Sequence, residues 1–228
     1  MANIEEARAV YEDIRKEGAQ RGWWATYQLP PWLQTYVGME AEATSIRVFE
    51  IELVTALLQT KAYATRTQEV GGQMLSAESI RRLTDARLRR QVVLDGPEAP
   101  KVSAIICESA LSRTAQEKGV GVEQLRYLIA ASKKPNIDIR VLPTGAGMHA
   151  SMSGSFHLLA FDPEVSVPVA YQEYAVGGHL IDDSAVVETL AGVFERLSRQ
   201  TLSKRESVEL IGRYATETEE RDNGTDHQ

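Results

Sequence analysis

Apolar residues recur every three or four positions along much of the chain, a spacing that is typical of amphipathic helices. The first such stretch follows Asn3, which is placed to cap a helix, and it ends at Gly18 and Gly22. Ser76 is a second good cap, and it precedes a long helix that is predicted to stop before Gly96. That helix covers residues 77–94, and further helices are predicted over residues 33–43, 53–66, 122–133, 183–197 and 204–214.

Shorter stretches alternate between apolar and polar residues or are continuously apolar, and these patterns predict strands. In the segment 45–51, Ile46, Val48 and Glu50 share one face. Residues 102–107 form a short apolar run that we expect to be a buried strand. Three more segments, which we expect to form a β-meander, cover residues 137–141, 156–160 and 167–171.

The order of these elements predicts the fold class. Helices come first, then single strands among helices, then a run of strands and more helices, which indicates an α+β fold. We expect a small antiparallel or mixed sheet packed with several helices in a single domain, because no repeat and no long linker interrupts the chain. The expected organisation is an N-terminal helix over 1–22, the α+β domain over 23–215 and a disordered acidic tail over 216–228.

Composition narrows the range of partners. The chain of 228 residues has 25 lysines and arginines against 32 aspartates and glutamates, so its net charge is −7. Nucleic-acid binding usually requires a basic surface, and this balance argues against it. No apolar run approaches the roughly 18 residues that cross a bilayer, so no membrane association is expected. The charged N-terminus is unlike a signal peptide and Cys107 is the only cysteine, so we expect a cytoplasmic protein.

Residues 145–150 read Gly-Ala-Gly-Met-His-Ala and match the G-x-G-x-x-G/A pattern of dinucleotide-binding folds. Such a site requires a helix directly after the loop, because the helix N-terminus holds the pyrophosphate. The next segment, 151–161, alternates like a strand, which argues against that interpretation. A plain connection between strands and a mobile loop over a pocket are both open. His149 in this loop is a candidate ligand-binding residue, and mere exposure is the alternative.

Five arginines crowd the helix predicted over 77–94, and most are expected to form a solvated face paired with acidic residues. Arg87 differs because it follows Ile80 by seven residues and Leu83 by four, which places it on the apolar side of the helix. An arginine in such a position requires a carboxylate or an anionic ligand. Arg87 is therefore the candidate anion-binding residue.

Two carboxylates follow predicted strands, where pocket residues often lie. Glu108 comes directly after the strand that ends at Cys107, and Glu173 comes shortly after Tyr171. If the two glutamates face each other they could act as an acid/base pair, with Tyr171 orienting a substrate. Cys107 itself is expected to be a core thiol. No histidine has the spacing of a metal motif, so neither a metal nor a cofactor is expected.

All three tryptophans lie within residues 23–32, next to a double proline that excludes a helix through that point. They could line a cavity, or they could clamp the N-terminal helix to the body. We place a candidate pocket between this segment, the sheet edge after Cys107 and the loop 145–150. Its predicted apolar walls are Trp23, Trp24, Trp32 and Phe156. Its predicted polar groups are Arg87, Glu108, His149, Tyr171 and Glu173.

An ordered series of segments resembles one family. The longer segments are 36–50 (YVGMEAEATSIRVFE), 57–64 (LLQTKAYA), 87–94 (RLRRQVVL), 135–143 (PNIDIRVLP) and 145–150. Together they resemble the domain of unknown function that follows the helix-turn-helix in WhiJ-type actinobacterial regulators, over about residues 30–212. The resemblance implies regulation and partner binding, and it implies no established chemistry.

Two departures from that family affect the expectation. Its members usually carry a DNA-binding domain ahead of this one, whereas only a short helix precedes the match here, so the effector half alone is expected. The family tends to read Val-Pro-Gly before Leu-Leu-Gln-Thr, where this chain has Val54-Thr55-Ala56. That difference alters the turn into the following helix.

Two functions from different classes are compatible with these patterns. The first is a regulatory or ligand-binding module that senses a small molecule or holds a protein partner, or a second copy of itself, without binding DNA. The second is a cofactor-independent enzyme of specialised metabolism, of the cyclase or isomerase type, recruited from such a domain. Glu108, Glu173 and Tyr171 would then be its catalytic residues.

Overall fold

A computed structural model of the chain describes residues 22–71, 75–164 and 166–224. The helix predicted over 1–22 therefore lies outside the described residues, apart from Gly22. The described residues form seven α-helices and a six-stranded mixed sheet, so the predicted α+β fold is confirmed. The strands are β1 (Ser45–Glu50), β2 (Lys101–Cys107), β3 (Ile137–Leu142), β4 (Phe156–Ala160), β5 (Val169–Tyr174) and β6 (Gly177–Ile181).

The sheet has the strand order β3-β2-β1-β4-β5-β6, and its first three strands are parallel. The strand β2, which lies between β3 and β1, is the apolar run that was predicted to be buried. Ala104 and Ile106 belong to one core cluster and Ile105 to another, so both faces of this strand are covered. Parallel strands are usually covered on both sides, which accounts for the apolar run of β2.

The other half of the sheet is antiparallel, with β4 paired to β1, β5 to β4 and β6 to β5. The predicted meander is therefore wrong about its first member, because β3 lies at the opposite edge, paired to β2. Alternation shows which residues share a face, but it does not identify the neighbouring strand. The meander in the structure consists of β4, β5 and β6. The strand β6 was not predicted, because Gly177, Gly178 and His179 obscure its alternation.

The helices surround the sheet and begin at recognisable caps. The Ser76 hydroxyl accepts from the Ser79 amide at 3.2 Å, as predicted. The predicted capping box is also present, since the Ser203 amide donates to Glu206 at 3.0 Å and the Glu206 amide donates to the Ser203 hydroxyl at 3.3 Å. The α-helices are α1 (Pro31–Glu42), α2 (Lys61–Val70), α3 (Ala77–Arg90), α4 (Glu108–Gln116), α5 (Gly121–Ala131), α6 (Ser184–Ser198) and α7 (Lys204–Gly224). Short 3-10 helices cover Trp23–Tyr27, Ala56–Leu58, Gln91–Leu94 and Thr144–Ala146.

Several helix boundaries differ from the predictions. The helix predicted over 53–66 begins only at Lys61, because the Thr60 hydroxyl caps it by accepting from the Tyr63 amide. The helix predicted over 77–94 is α-helical to Arg90 and continues as a 3-10 turn. The helix α4 was not predicted at all, so Glu108 begins a helix instead of lying in a loop after a strand.

The last helix is longer than its sequence suggests. It extends through Gly224, although a disordered tail was predicted from Thr216. Thr218 is buried within it, and Arg126 on α5 donates to Glu219 at 2.5 Å. The charged residues of this segment pair with the body of the protein, which explains why a polar sequence is helical here. Residues 225–228 lie outside the described part of the chain.

The sheet separates two apolar layers. On one face, Phe194 and Leu197 of α6 pack with Phe49 and Phe156. The larger cluster on the other face draws residues from α1 to α5 and from α7. Within the described ranges, none of the helices combines the length and apolarity needed to span a bilayer.

Candidate functional site

A cavity of about 470 Å³ lies where the end of β1, the start of β4 and the β5–β6 hairpin meet helices α1, α2 and α3. Small-molecule sites in proteins have volumes of roughly 300–1,000 Å³, so the size is suitable for a ligand. Its apolar wall is formed by Leu29, Pro30, Trp32, Leu33, Leu53, Val54, Ala56, Leu75, Leu83, Ala86 and Phe156. Most of the remaining lining residues are polar, and several of them are charged.

An aromatic stack connects α1 with the sheet at this cavity. Pro31 is the first residue of α1, where its missing amide hydrogen costs the helix no bond, so Trp32 lies in the first turn. Tyr36, one turn later, stacks on Tyr171 of β5 with ring centroids 4.1 Å apart. Trp32 stacks on the same tyrosine at 6.5 Å. Trp32 and Tyr171 line the cavity, and Tyr36 is buried behind them.

A chain of hydrogen bonds connects Arg90 at the cavity wall, through buried groups, with His157 and Glu50 at the same wall. Arg90 donates to both carboxylate oxygens of Glu40, at 2.7 and 2.9 Å, and both residues are buried. The Tyr36 hydroxyl donates to Glu40 at 3.0 Å and lies 2.7 Å from Nδ1 of His157. Nε2 of His157 lies 3.1 Å from Glu50. His157 and Glu50 line the cavity, so the network ends at its surface.

Electrostatics hold the inner part of this network in fixed charge states. Burial and the neighbouring Glu40 carboxylate raise the pKa of Tyr36 well above its ordinary value, so its hydroxyl stays neutral. Burial by itself lowers the pKa of Arg90, but the Glu40 charge and hydrogen bonds raise it by more, and the net direction is upward. Arg90 therefore stays protonated although it is buried.

Arg87 lies on the cavity wall one turn before Arg90 and has different surroundings. Its Nη1 donates to Gln59 and to Thr67, at 3.0 Å each. Among the described residues, no carboxylate lies within ion-pair distance of its guanidinium. Burial lowers the pKa of Arg87, and the positive charge of Arg90 lowers it further. The cavity therefore presents a half-buried positive charge that is hydrogen-bonded only to neutral groups.

Three carboxylates, Glu50, Glu52 and Glu173, also line the cavity. The Tyr171 hydroxyl donates to Glu173 at 3.2 Å, and burial together with that carboxylate raises the pKa of Tyr171. Glu52 pairs with Arg113 of α4. The carboxylates come from the sheet and the segment after β1, whereas Arg87 comes from α3, so the two signs of charge enter from different elements.

Nine residues were predicted from the sequence to form a site, and the structure brings five of them together. The five that line the cavity are Trp32, Arg87, Phe156, Tyr171 and Glu173. The cavity therefore lies in a different place from the predicted pocket. It lies near the aromatic segment and the ends of the antiparallel strands, and the loop 145–150 does not contribute to its lining.

Glu108 is one of the four predicted site residues that lie elsewhere. As the first residue of α4, its carboxylate accepts from the Thr144 amide at 2.8 Å and from the Tyr214 hydroxyl at 3.1 Å. It therefore joins the glycine loop and α7 to the end of β2. Glu108 does not line the cavity with Glu173, so the two predicted members of an acid/base pair belong to different places in the fold.

The other three residues pack against the body of the protein. Trp23 and Trp24 meet edge to face at 5.8 Å in the first 3-10 helix, and the Arg89 guanidinium lies 6.0 Å from the Trp23 ring. This contact joins the aromatic segment to α3. His149 meets Phe49 edge to face at 5.5 Å and accepts from the Ser151 amide.

Sequence reasoning missed several residues of the cavity and its network. The largest omissions are Tyr36, Glu40, Glu50, Gln59, Arg90 and His157. One signal was present, because Glu50 shares a strand face with Ile46 and Val48, and a carboxylate on an apolar face requires a partner. That partner, His157, follows 107 residues later and has no local signature.

The glycine loop does not form a dinucleotide site. A 3-10 turn over Thr144–Ala146 leads to Gly147 at φ 71°, and the next regular element is the strand β4. The positive φ accounts for a glycine at that position. A helix N-terminus, which a pyrophosphate would need, does not follow the loop.

Cys107 is a buried thiol at the end of β2. Burial raises its pKa to about 11, and Glu52 and Glu50 add to the effect. It is therefore protonated near neutral pH, as expected of a core cysteine. In the described part of the chain, no three His, Cys, Asp or Glu residues are grouped so as to hold a metal ion.

Residues 33–213, most of the chain, match the family described as a domain of unknown function, DUF5753. The chain belongs to this family. The DUF5753 match runs from the first turns of α1 into α7 and includes all six strands. Most of the cavity therefore lies within the family domain, although Trp32 immediately precedes the match. None of the curated proteins compared with the chain matches it.

Proposed function

We propose that this DUF5753 domain is a small-molecule-binding module. The observation that carries the proposal is the cavity of about 470 Å³, with its apolar wall, its stacked Trp32 and Tyr171 and polar groups that are held by hydrogen bonds. Such a combination is typical of ligand sites, in which apolar contact supplies affinity and a few polar groups set orientation.

The polar groups of the cavity are held in place before any ligand binds. His157 is fixed at both ring nitrogens by Tyr36 and Glu50. Gln59 donates to the Val54 carbonyl at 2.6 Å while it accepts from Arg87. Side chains that are already ordered lose little entropy on binding, which favours affinity and selectivity.

The resemblance to the effector half of WhiJ-type regulators supports a regulatory role for this binding. We propose that the domain reports its ligand to a protein partner, or to a second copy of itself, and that it does not bind DNA. A cytoplasmic protein with net charge −7 suits such a role better than it suits a nucleic-acid binder.

A neutral fluorescent probe, N-phenyl-1-naphthylamine, tests the proposal, because its emission rises in apolar cavities. We expect saturable binding to the wild-type protein. Trp32→Ala should weaken it about fivefold, since one aromatic contact contributes roughly 1 kcal/mol. The matched control is Trp23→Ala, which removes another half-buried tryptophan outside the cavity lining and should change the affinity less than twofold.

Two results would contradict this function. One is absence of saturable probe binding to the folded wild-type protein. The other is equal loss of affinity in the Trp32 and Trp23 variants at unchanged thermal stability, because the probe would then bind outside the cavity.

A cofactor-independent isomerase or cyclase is a second candidate function, and one observation favours it. His157 lies between a carboxylate and a tyrosine hydroxyl at the cavity wall, an arrangement suited to moving a proton. Glu173 and Tyr171 offer a second acid and hydroxyl there. Compounds that displace the probe can be incubated with the wild type and with His157→Gln. Conversion by the wild type alone supports an enzyme, and unchanged recovery of every compound contradicts it.

A further inference from the structure

The surroundings of Arg87 indicate which chemical class of ligand the cavity accepts. Two arginines lie one turn apart on α3. Arg90 is neutralised by both oxygens of Glu40, whereas Arg87 contacts only the amide oxygen of Gln59 and the hydroxyl of Thr67. These neutral acceptors satisfy hydrogen bonds at one nitrogen of the guanidinium but do not neutralise its charge.

The neighbours of Arg87 also fix its position. Gln59 is buried. Its side-chain amide nitrogen donates to the Val54 carbonyl, and its backbone carbonyl accepts from the Gln91 side chain at 2.6 Å. The Thr67 hydroxyl donates to the Ala64 carbonyl at 2.8 Å, so it can only accept from Arg87. Both hydrogen bonds of Arg87 are donated by Nη1, and its Nε and Nη2 donate no hydrogen bond to the described residues. The guanidinium is thus oriented, with donors left for a planar acid group.

The acidic residues of the cavity do not serve as the missing partner. The charges of Glu173 and Glu50 act favourably on Arg87, but burial and the charge of Arg90 outweigh them, so the net effect on its pKa is downward. Glu173 instead accepts from Tyr171, and Glu50 contacts His157. Neither of these glutamates therefore forms an ion pair with Arg87.

We propose that the ligand of this cavity is an aromatic organic anion, whose acid group pairs with Arg87 and whose ring system lies against Trp32 and the leucines of α1 and α3. The proposal rests on the proposed small-molecule-binding function and specifies its ligand class. Arg87 is a binding residue in this assignment. Gln59 and Thr67 are positioning residues, because they act through Arg87.

A matched pair of dyes tests the charge directly. The anion 8-anilinonaphthalene-1-sulfonate carries the same ring skeleton as N-phenyl-1-naphthylamine and adds one sulfonate. We expect the wild type to bind the anionic dye at least tenfold more tightly. Arg87→Gln should weaken the anionic dye about 10- to 100-fold, the range for a charge-assisted pair, and should leave the neutral dye within threefold. The control Arg81→Gln removes an exposed arginine of the same helix and should change neither affinity.

A second measurement does not depend on folding of the Arg87 variant. In the wild type, 2-naphthoate should displace the anionic dye and raise the melting temperature, whereas the uncharged 2-naphthamide should do neither at the same concentration. Arg87→Lys, which keeps the charge but loses the planar fork, should retain part of the preference.

The possible failures are distinguishable. If the neutral dye binds and depends on Trp32, but the wild type shows no preference for the anionic dye or for naphthoate, the ligand class is overturned and the binding function stands. If the preference persists in folded Arg87→Gln, the anion lies elsewhere and this assignment is overturned. If neither dye binds, the binding function and the ligand class are overturned together.

Discussion

Arg87 and Arg90 are three residues apart on α3, and the difference in their partners shows how single side chains define this molecule. Arg90 and Glu40 form a buried ion pair, and Tyr36 lies against it with its ring centroid 5.3 Å from the guanidinium. Arg87 contacts only neutral groups. Removing one member of a buried pair leaves the other charge uncompensated, so the two arginines have different consequences for stability and for binding.

We predict that Glu40→Gln destabilises the protein by about 3–5 kcal/mol, because it leaves the Arg90 charge buried without its carboxylate. Urea unfolding followed by circular dichroism measures the loss. The control is Glu209→Gln, which breaks an exposed pair with Arg205 on α7 and should cost less than about 1 kcal/mol.

A double variant separates the charge from the packing. Glu40→Met combined with Arg90→Met removes both charges and should recover most of the stability lost in Glu40→Gln, since apolar residues often replace a buried pair at little cost. A loss below about 1 kcal/mol in Glu40→Gln alone would show that water or another residue compensates Arg90.

Among the elements, the sequence predicted those whose signals are local. The faces of β1 follow from strict alternation, and Ile46 and Val48 lie in one core cluster while Phe49 lies in the other. The caps at Ser76 and Ser203 depend on contacts within three residues, and both are present. The half-buried position of Arg87 also followed from its place on the apolar side of a helix.

The remainder of the candidate site depends on contacts between distant segments. Tyr36 and His157 are 121 residues apart in the chain, and Arg87 and Gln59 are 28 apart. Their approach is set by the strand order, in particular by β4 pairing with β1, and neither periodicity nor spacing encodes that pairing. For Glu108 the local signal was misleading. Its position after a strand suggested a pocket residue, but its carboxylate bonds the Thr144 amide and the Tyr214 hydroxyl, which join parts of the fold.

The end of α7 gives a test of an element that the sequence predicted incorrectly. Thr218 is buried, and its hydroxyl donates to the Tyr214 carbonyl at 2.6 Å, whereas the adjacent Glu217 is exposed. We predict that Thr218→Lys lowers the free energy of unfolding by about 1–3 kcal/mol, because it forces a charge against the body of the protein.

The matched control for Thr218→Lys is Glu217→Lys, which should change the free energy by less than about 0.5 kcal/mol. Urea titrations of both variants against the wild type make the comparison. If this segment were disordered in solution, both substitutions would be neutral, and equal curves for the two variants would therefore contradict the docked helix.

At the scale of the whole molecule, charge distribution relates the cavity to the proposed role. The net charge is −7, and two of the α3 arginines contact neutral side chains of the aromatic segment. Arg82 donates to Gln28 at 3.0 Å and Arg89 lies over Trp23, while Asp85 of α3 pairs with Lys61 of α2. A ligand-binding module that acts through another protein needs no basic face.

We therefore predict that this chain does not shift duplex DNA in a mobility assay at micromolar protein and about 0.15 M salt. Non-specific binders neutralise several phosphates and reach dissociation constants of roughly 10⁻⁴–10⁻⁶ M, a range that a protein with this acidic balance should not attain. Arg81→Gln combined with Arg82→Gln serves as the control, since it removes two cations from the most basic helix and should leave the result unchanged. A salt-sensitive shift at nanomolar protein on one promoter, absent on random DNA and abolished by those two substitutions, would place a DNA-reading surface on α3 and contradict the assignment of this domain to ligand binding alone.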